Sequence, residues 1–343
     1  MKRSFRPSTP ADAAGILALF DAAGLHPNRE PSHLHWKYWQ PRADWAGSRS
    51  FVLADGSAVI AHSAILPGSC MWGSRRIRTI QMSDWVARPG EAGAGVTLLK
   101  QLGQQTQALV SIAGGALTLK IQPHLGFRPM GVATAYSRTL FPFRLLRVRT
   151  IPLLRRWPRF ARSAVWALTS PATHCANWTV RRIAGDDLRR ITSVLPRPAR
   201  GMAAFERSAE LFRYMLSCPI VAMALYSVER SERTEGYFLL ATARGQVRIV
   251  DCWMDSADPA DWRAMISCAV GQAGQDPEAV EIATWENDPL LCGVLEQCGF
   301  HARFTVPVQV RPADDASMPG ALRVQLLDCD NAYLDVGRQA LWA

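Results

Sequence analysis

Apolar positions along this chain change period in a fixed order. Alternating runs give way to stretches with apolar residues three and four apart, and then to alternating runs again. "FVLADGSAVIAHSAIL" (Phe51–Leu66) holds two alternating runs around a polar Asp-Gly turn, which predicts a β-hairpin. "TIQMSDWVARP" (Thr79–Pro89) predicts a central strand over about 80–87, and the stretch after it predicts a helix over about 94–107. "ALVSIAG" then reads as a buried strand. A short helix follows, ending in Leu-Gly-Phe, where the glycine suits the left-handed position just past a helix C-terminus.

The same order occurs twice. Phe5–Phe20 has a counterpart in Val180–Leu195, and His35–Pro41 in Leu211–Pro219. The hairpin Phe51–Leu66 matches Ala224–Leu240, and the central strand Thr79–Pro89 matches Val247–Pro259. Gln122–Val132 matches Leu295–Val306, where the helix ends in Cys-Gly-Phe. Five matches in one order predict a duplicated α/β unit: strand, two helices, three strands, helix, strand, helix, strand. The expected modules span 1–140 and 178–343, with a linker at 141–177.

"RPGEAGAGVTLLKQL" (Arg88–Leu102) lies between the central strand and the helix of the first copy. Its glycines suit either a loop that holds a phosphate or a small-residue turn that lets helix and strand pack closely. With the downstream "LGFRPMG" and "CGFHARF" units, this order resembles the GNAT superfamily, the GCN5-related acyl-CoA N-acyltransferases, over nearly the whole chain. The resemblance implies a mixed α/β fold, two tandem modules each built on a central mixed sheet flanked by helices. Its implied activity is acyl transfer from acetyl-CoA or another acyl-CoA to an amine, by direct attack on the thioester. The implied acceptor is a small-molecule or sugar amine between the modules.

In that family, backbone N–H groups of the loop and the helix N-terminus hold the pyrophosphate. Carried onto this sequence, the donor surface comprises Val86, Arg88, Gly90, Ala92, Gly93, Ala94, Gly95 and Val96. Gly93 and Gly95 take the two glycine places, while the basic or amide residue that usually precedes them is missing. The resemblance makes Asp84 the leading candidate for general base, with Ser83 beside it on the strand and His62 on the neighbouring strand as further catalytic candidates. Asp251 occupies the place of Asp84 in the second copy, which suggests a structural role for both. Gln122 stands where many members place a tyrosine that protonates the leaving thiolate. In the second copy the loop reads "MDSADPADW", with three acids and no glycine, so that module is expected to bind no acyl-CoA there. Two rival readings stay open: a FemX-like transferase that takes its acyl group from aminoacyl-tRNA, and a degenerate binding or scaffold protein.

Charge adds one feature. The 343 residues carry a net charge of +10, and Phe141–Trp178 holds seven arginines and no acidic residue. That concentration argues against a general nucleic-acid coat, DNA included, and for one localised contact. Between Arg144 and Arg162 the segment reads as a packed linker, a dock on an anionic membrane surface, or a site for an acidic carrier protein. Pro152 and Pro158 predict that its helix starts after Pro158. The eight cysteines form no CxxC pair, so no metal site is expected, and His33 and His35 point to different helix faces. "LRVQLLDCDNAYLDVG" (Leu322–Gly337) reads as a last strand running into an acidic turn, with Asp328 and Asp330 as candidates for a cationic acceptor or for turn chemistry. Without a secretory signal or a span-length apolar stretch, the expected location is the cytoplasm, with the basic segment able to rest on the inner membrane face.

Overall fold

The computed structural model describes residues 3–148, 151–172, 177–197, 202–313, 320–334 and 341. The first copy runs β1 (Arg3–Pro7), α1 (Ala13–Ala22) and α2 (Pro31–Leu34), which continues into a π-helical turn at His35–Trp39. Then come β2 (Ser50–Asp55), β3 (Ala58–Trp72), β4 (Arg75–Ala87), α3 (Ala94–Gly103), β5 (Ala108–Ile112), α4 (Ala116–Ile121) and β6 (Arg128–Thr139). The arginine-rich segment forms α5 (Pro142–Leu145) and α6 (Leu153–Thr169). The second copy runs β7 (Thr179–Ile183), a 3-10 stretch (Gly185–Val194), β8 (Met202–Phe205), α7 (Ala209–Leu216), β9 (Ala222–Arg230), β10 (Arg233–Ala243) and β11 (Gln246–Met254). It ends with α8 (Pro259–Ala273), β12 (Glu281–Glu286), α9 (Pro289–Gln297), β13 (His301–Pro312) and β14 (Ala321–Arg323). Apart from the extra β8 and β14, this is the duplicated order expected from the sequence.

The compact units do not follow the chain halves. One unit comprises residues 1–131, 198–206 and 307–322; the other comprises 132–197, 207–306 and 323–343. Each copy therefore gives its last strand to the other unit's sheet. In the first unit β1 to β5 lie in order and residues 308–312 of β13 pair antiparallel with β5, Val308 opposite Ile112 and Pro312 opposite Ala108. In the second unit residues 134–139 of β6 pair antiparallel with β12, beside β11, β10, β9 and β7. The boundaries at 140 and 178 mark where the sequence repeats, and the strand exchange has no signature in that repeat.

Helices cover both faces of the first sheet, so β2, β5 and most of β3 are buried. Leu98, Leu99 and Leu102 of α3 pack on Ile60, Ile80 and Leu109. Ile16, Leu19 and Phe20 of α1 pack with Val52, Val59 and Val86. In the second unit Met265, Ile266 and Ala269 of α8 and Leu291, Val294 and Leu295 of α9 close over Phe238, Val247 and Ile249. The two helix-ending glycines take the left-handed conformation, Gly126 at φ 83° and Gly299 at φ 78°. At Gly299 a side chain is also excluded by space, because a Cβ would sit 2.7 Å from Ser170 Oγ.

Two expectations are corrected. The helix of the arginine segment starts at Leu153, with Pro158 inside it. Pro158 lacks the N–H that would reach the Leu154 carbonyl, and Leu154 lies on the solvent side, where water can serve that carbonyl instead. The C-terminal strand is only the three residues Ala321–Arg323, followed by 3-10 turns at Leu326–Asp328 and Asp330–Ala332.

The exchange makes a prediction. A chain ending at residue 140 leaves β5 without its β13 neighbour, and a chain starting at 141 leaves β12 without β6. Each half expressed alone is expected to lack a near-UV circular dichroism spectrum and a cooperative melt, whereas co-expressed halves should co-purify with both. Cooperative melts from both separate halves would contradict the exchange.

Candidate active site

The central strands of both units are parallel pairs that part early. β4 and β5 pair only at Thr79–Ala108, Ile80–Leu109 and Gln81–Val110, although β4 runs on to Ala87. β11 and β12 pair only at Gln246–Glu281, Val247–Ile282 and Arg248–Ala283, although β11 runs on to Met254. Beyond the last pair, the backbone groups on that edge of the central strand have no ladder partner.

A bulge sits at each opening. His62 lies opposite Val86 and Ala64 opposite Ser83, so β4 carries one extra residue between them. Within it Asp84 adopts φ 50°, a conformation that a non-glycine residue holds only against strain. Side-chain contacts hold it there. Lys37 Nζ lies 2.6 Å from Asp84 Oδ2, and Tyr38 donates its hydroxyl proton to the same oxygen at 2.7 Å. Burial alone would raise the Asp84 pKa, but the Lys37 ammonium and the Tyr38 hydroxyl outweigh it and hold the carboxyl below its ordinary value. The second bulge lies between Ile249 and Asp251 of β11. Asp251 accepts two bonds from Arg207 Nε and one from Arg207 Nη2 at 2.7 Å, and one from Tyr237 at 2.7 Å. Arg207 also pairs with Asp328 at 2.8 Å. Each copy thus anchors its bulge with a buried carboxylate, a cation and a tyrosine.

This arrangement bears on the expected chemistry. A carboxylate held below its ordinary pKa by a buried ammonium is a weak base, and the Asp84 contacts fit the structural role that Asp251 suggests for both. His62 is fully buried, its Nε2 3.0 Å from Ser50 Oγ and its Nδ1 3.2 Å from the Asp84 carbonyl. The carbonyl can only accept, so Nδ1 carries the proton and Nε2 accepts. Ser50 in turn accepts from Ser8, which accepts from the Trp39 indole N–H. Burial lowers the His62 pKa to about 4, which keeps it neutral as a brace behind the bulge. Ser83 is buried, and its carbonyl lies 3.4 Å from Ser63 Oγ. Asp328 belongs to the Arg207 network and accepts from the Gln325 N–H at 2.8 Å, so it is not available to an acceptor amine.

The bulge sets which amides face the opening. Arg88 N–H bonds to the Ile60 carbonyl, and Val86 lies opposite His62. Alternation along an antiparallel ladder then turns the N–H groups of Trp85 and Ala87 toward the opening. Among the described residues no side chain reaches the Trp85 N–H. Val86 is turned the other way, its N–H toward β3 and its side chain in the core against α1. Trp85 was not among the sequence candidates; counting the alternation from the bulge would have found it.

At the start of α3, Gly93 is the N-cap residue with φ 77°, and a Cβ built on it meets nothing within 4 Å. The N–H groups of Gly95 and Val96 have no backbone partner among the described residues, as expected for a first helical turn. Ala94 differs: it is fully buried, and its N–H is taken by the Glu91 carbonyl. The Trp85 indole donates to the Gly95 carbonyl at 3.1 Å and lies in ordinary contact distance, 3.4 Å, of where a Cβ would stand. Gly90 and Ala92 are exposed, with the Ala92 N–H on the Gly90 carbonyl. Arg88 donates to the Val59 carbonyl at 2.9 Å, and the Glu91 carboxylate is paired with Arg3 at 2.8 Å. Gln122 is buried and donates to Ser111 Oγ at 2.5 Å, leaving its Oε1 without a partner; an amide offers no proton to a thiolate.

The second unit closes both features with its own chain. Asp258 caps α8, accepting from the Ala260 N–H at 2.8 Å, where the first unit has glycine. Across the parting of β11 and β12, Gln325 Oε1 accepts from the Cys252 N–H at 3.0 Å, and its Nε2 donates to Glu286 Oε2 at 2.8 Å. Cys252 corresponds to Trp85, one residue past the bulge aspartate. Arg323 pairs with Glu286 at 3.1 Å, completing the plug. Nothing in the composition of the C-terminal segment announces that Gln325 does this.

No protein-family model and no curated protein matches the sequence. Solved structures do match. A GCN5-related N-acetyltransferase from Anabaena variabilis is similar over 91% of this chain and 73% of its own, with 11% identity and a TM-score of 0.60. A probable N-acyltransferase from Enterococcus faecalis is similar over 91% and 73%, with 10% identity and a TM-score of 0.61. Saccharomyces cerevisiae N-myristoyltransferase, with bound myristoyl-CoA and inhibitors, is similar over 90% and 80%, with 12% identity and a TM-score of 0.62. The chain therefore has the GNAT fold.

Two outcomes test the bulge anchor. Lys37→Met should cost about 3–5 kcal/mol in urea unfolding, the cost of leaving a buried carboxylate unpaired, and adding Asp84→Asn should recover most of it. Stability should also fall on acidification. His62 and His33, both lowered to about 4 chiefly by burial, must stay neutral in the fold while they take up protons near pH 6.5 once unfolded. Between about pH 6.5 and pH 4 the loss should approach about 1.4 kcal/mol per pH unit for each histidine, and His62→Gln should remove one share.

Proposed function

We propose that the first unit is an acyl-CoA-dependent N-acyltransferase and that the second has no donor site. The observation that carries this reading is the contrast between the two helix N-termini. Glycine starts α3 and leaves first-turn amides facing outward, while a carboxylate of the chain caps α8. A helix N-terminus presents roughly half a positive charge, and outward amides suit a diphosphate. A carboxylate about 4 Å from a phosphate costs about 1–4 kcal/mol between water and a partly screened protein surface.

In this reading Gly93, Gly95 and Val96 receive the pyrophosphate of CoA. The thioester lies in the opening between β4 and β5, its carbonyl accepting from the Trp85 N–H. That bond strengthens as the carbonyl becomes an oxyanion, which is where a fixed donor helps most. The acceptor amine attacks the carbonyl carbon, the tetrahedral adduct expels the CoA thiolate, and the amine's proton passes through water to the thiolate. Asp84 fixes the bulge that aims Trp85 and takes no proton. The acceptor is a small-molecule or sugar amine, and the donor is acetyl-CoA or a longer acyl-CoA. The scaffold reading draws on the missing basic residue before Gly93 and on Gln122 in the acid's place.

Calorimetry with acetyl-CoA, octanoyl-CoA and myristoyl-CoA tests it. At least one thioester should bind, and Gly93→Asp, which puts a carboxylate at the helix start as α8 has, should abolish that heat; the left-handed backbone at 93 should lower the thermal midpoint by only a few degrees. No heat with any thioester, or an unchanged affinity in Gly93→Asp, contradicts the reading.

A further inference from the structure

The outward face of α6 is apolar. Leu154 is 91% exposed, Trp157 59%, Val165 57% and Leu168 86%, with exposed Ala161 between them. Their spacings of three, four, four and three residues place them on one stripe. Phe143, 72% exposed on α5, has its ring tilted against Phe160 of α6 at 5.3 Å, and Phe160 meets Trp157 of the stripe edge-on at 6.0 Å. This stripe is not a frayed end. On the opposite face Ser163 is buried, the Trp166 ring stacks 4.0 Å from His301, and Arg156 donates to the carbonyls of Leu146 and Ile151. A surface helix ordinarily turns its apolar stripe to the core; here a second one faces solvent.

Charge accompanies the stripe. Arg155 is exposed on the helix about a third of a turn from it, Arg147 is exposed nearby in sequence, and no acidic residue occurs between Phe141 and Trp178. The stripe spans about 21 Å at the helical rise, a length suited to lying along a surface. Among the described residues no helix is long and apolar enough to cross a membrane.

We infer that α6, with Phe143, docks in the plane of an anionic lipid membrane, its stripe entering the headgroup–acyl boundary and its arginines meeting lipid phosphates. A convex helix is surrounded by lipid without any matching shape, whereas a protein partner would have to bring a groove. Exposed arginines in a segment without acidic residues suit a surface of one sign, and Trp157 suits the boundary between acyl chains and water.

Flotation of the full-length protein with phosphatidylcholine vesicles, with and without phosphatidylglycerol, tests this. The protein should float with the anionic vesicles, far less with the neutral ones, and less as salt rises. Leu154→Glu with Leu168→Glu should lower the partition by about tenfold or more. Both side chains stand in solvent, so the melt should be unchanged; if that variant misfolds, Leu154→Ser with Leu168→Ser serves instead. Arg155→Gln should lower it about fivefold and flatten its salt dependence. Protein that stays unbound at every phosphatidylglycerol content overturns the inference, as does flotation unaffected by the leucine variants. Self-association or capture of an acidic protein that depends on the stripe, without flotation, overturns it in favour of a protein partner.

Discussion

The architecture depends on one constraint: a parallel pair of central strands that stays together for three residue pairs and then separates. Separation exposes backbone amides that a closed sheet would have consumed, and buried amides without partners are costly. A fold that parts its central strands must therefore either fill the opening with its own polar groups or offer it to a ligand. This protein does the first in its second unit, where Gln325 bridges Cys252 and Glu286; among the described residues the first unit's opening between β4 and β5 has no such bridge.

The bulge that starts each opening is held by the same kind of contact with different residues. Lys37 and Tyr38 come from the π-helical turn of the first unit, while Arg207 precedes α7 and Tyr237 lies on β10 of the second. The arginine makes a three-bond contact with Asp251 and reaches Asp328 besides, tying the C-terminal plug to the bulge it covers. The lysine meets Asp84 as a point charge, 2.6 Å from Oδ2. A forked guanidinium joins two carboxylates where an ammonium holds one.

Much of the fold was legible because it rests on local signals. Hairpin turns, helical periods and the Gly-Phe helix endings recur in one order, and Gly126 and Gly299 take the backbone conformation those endings require. The exchange of β6 and β13 was not legible, because an apolar strand does not encode which neighbour it joins. The site divides in the same way. Gly93 declared itself by sequence, and its positive φ gives the reason. Asp84 and His62 were visible as polar residues among apolar ones, yet their roles depend on Lys37, Tyr38 and Ser50, distant in sequence. In the proposed mechanism Trp85 acts through its amide, which no side chain announces, and Gln325 binds an amide 73 residues before it.

Hydrogen exchange read by mass spectrometry, with and without a CoA thioester, reaches the central claim most directly. Ligand should slow exchange of the amides from Trp85 to Val96 and leave those from Cys252 to Trp262 unchanged. Slowing at Cys252–Trp262, or none at Trp85–Val96 under a saturating thioester, would contradict the account of one open and one self-filled site.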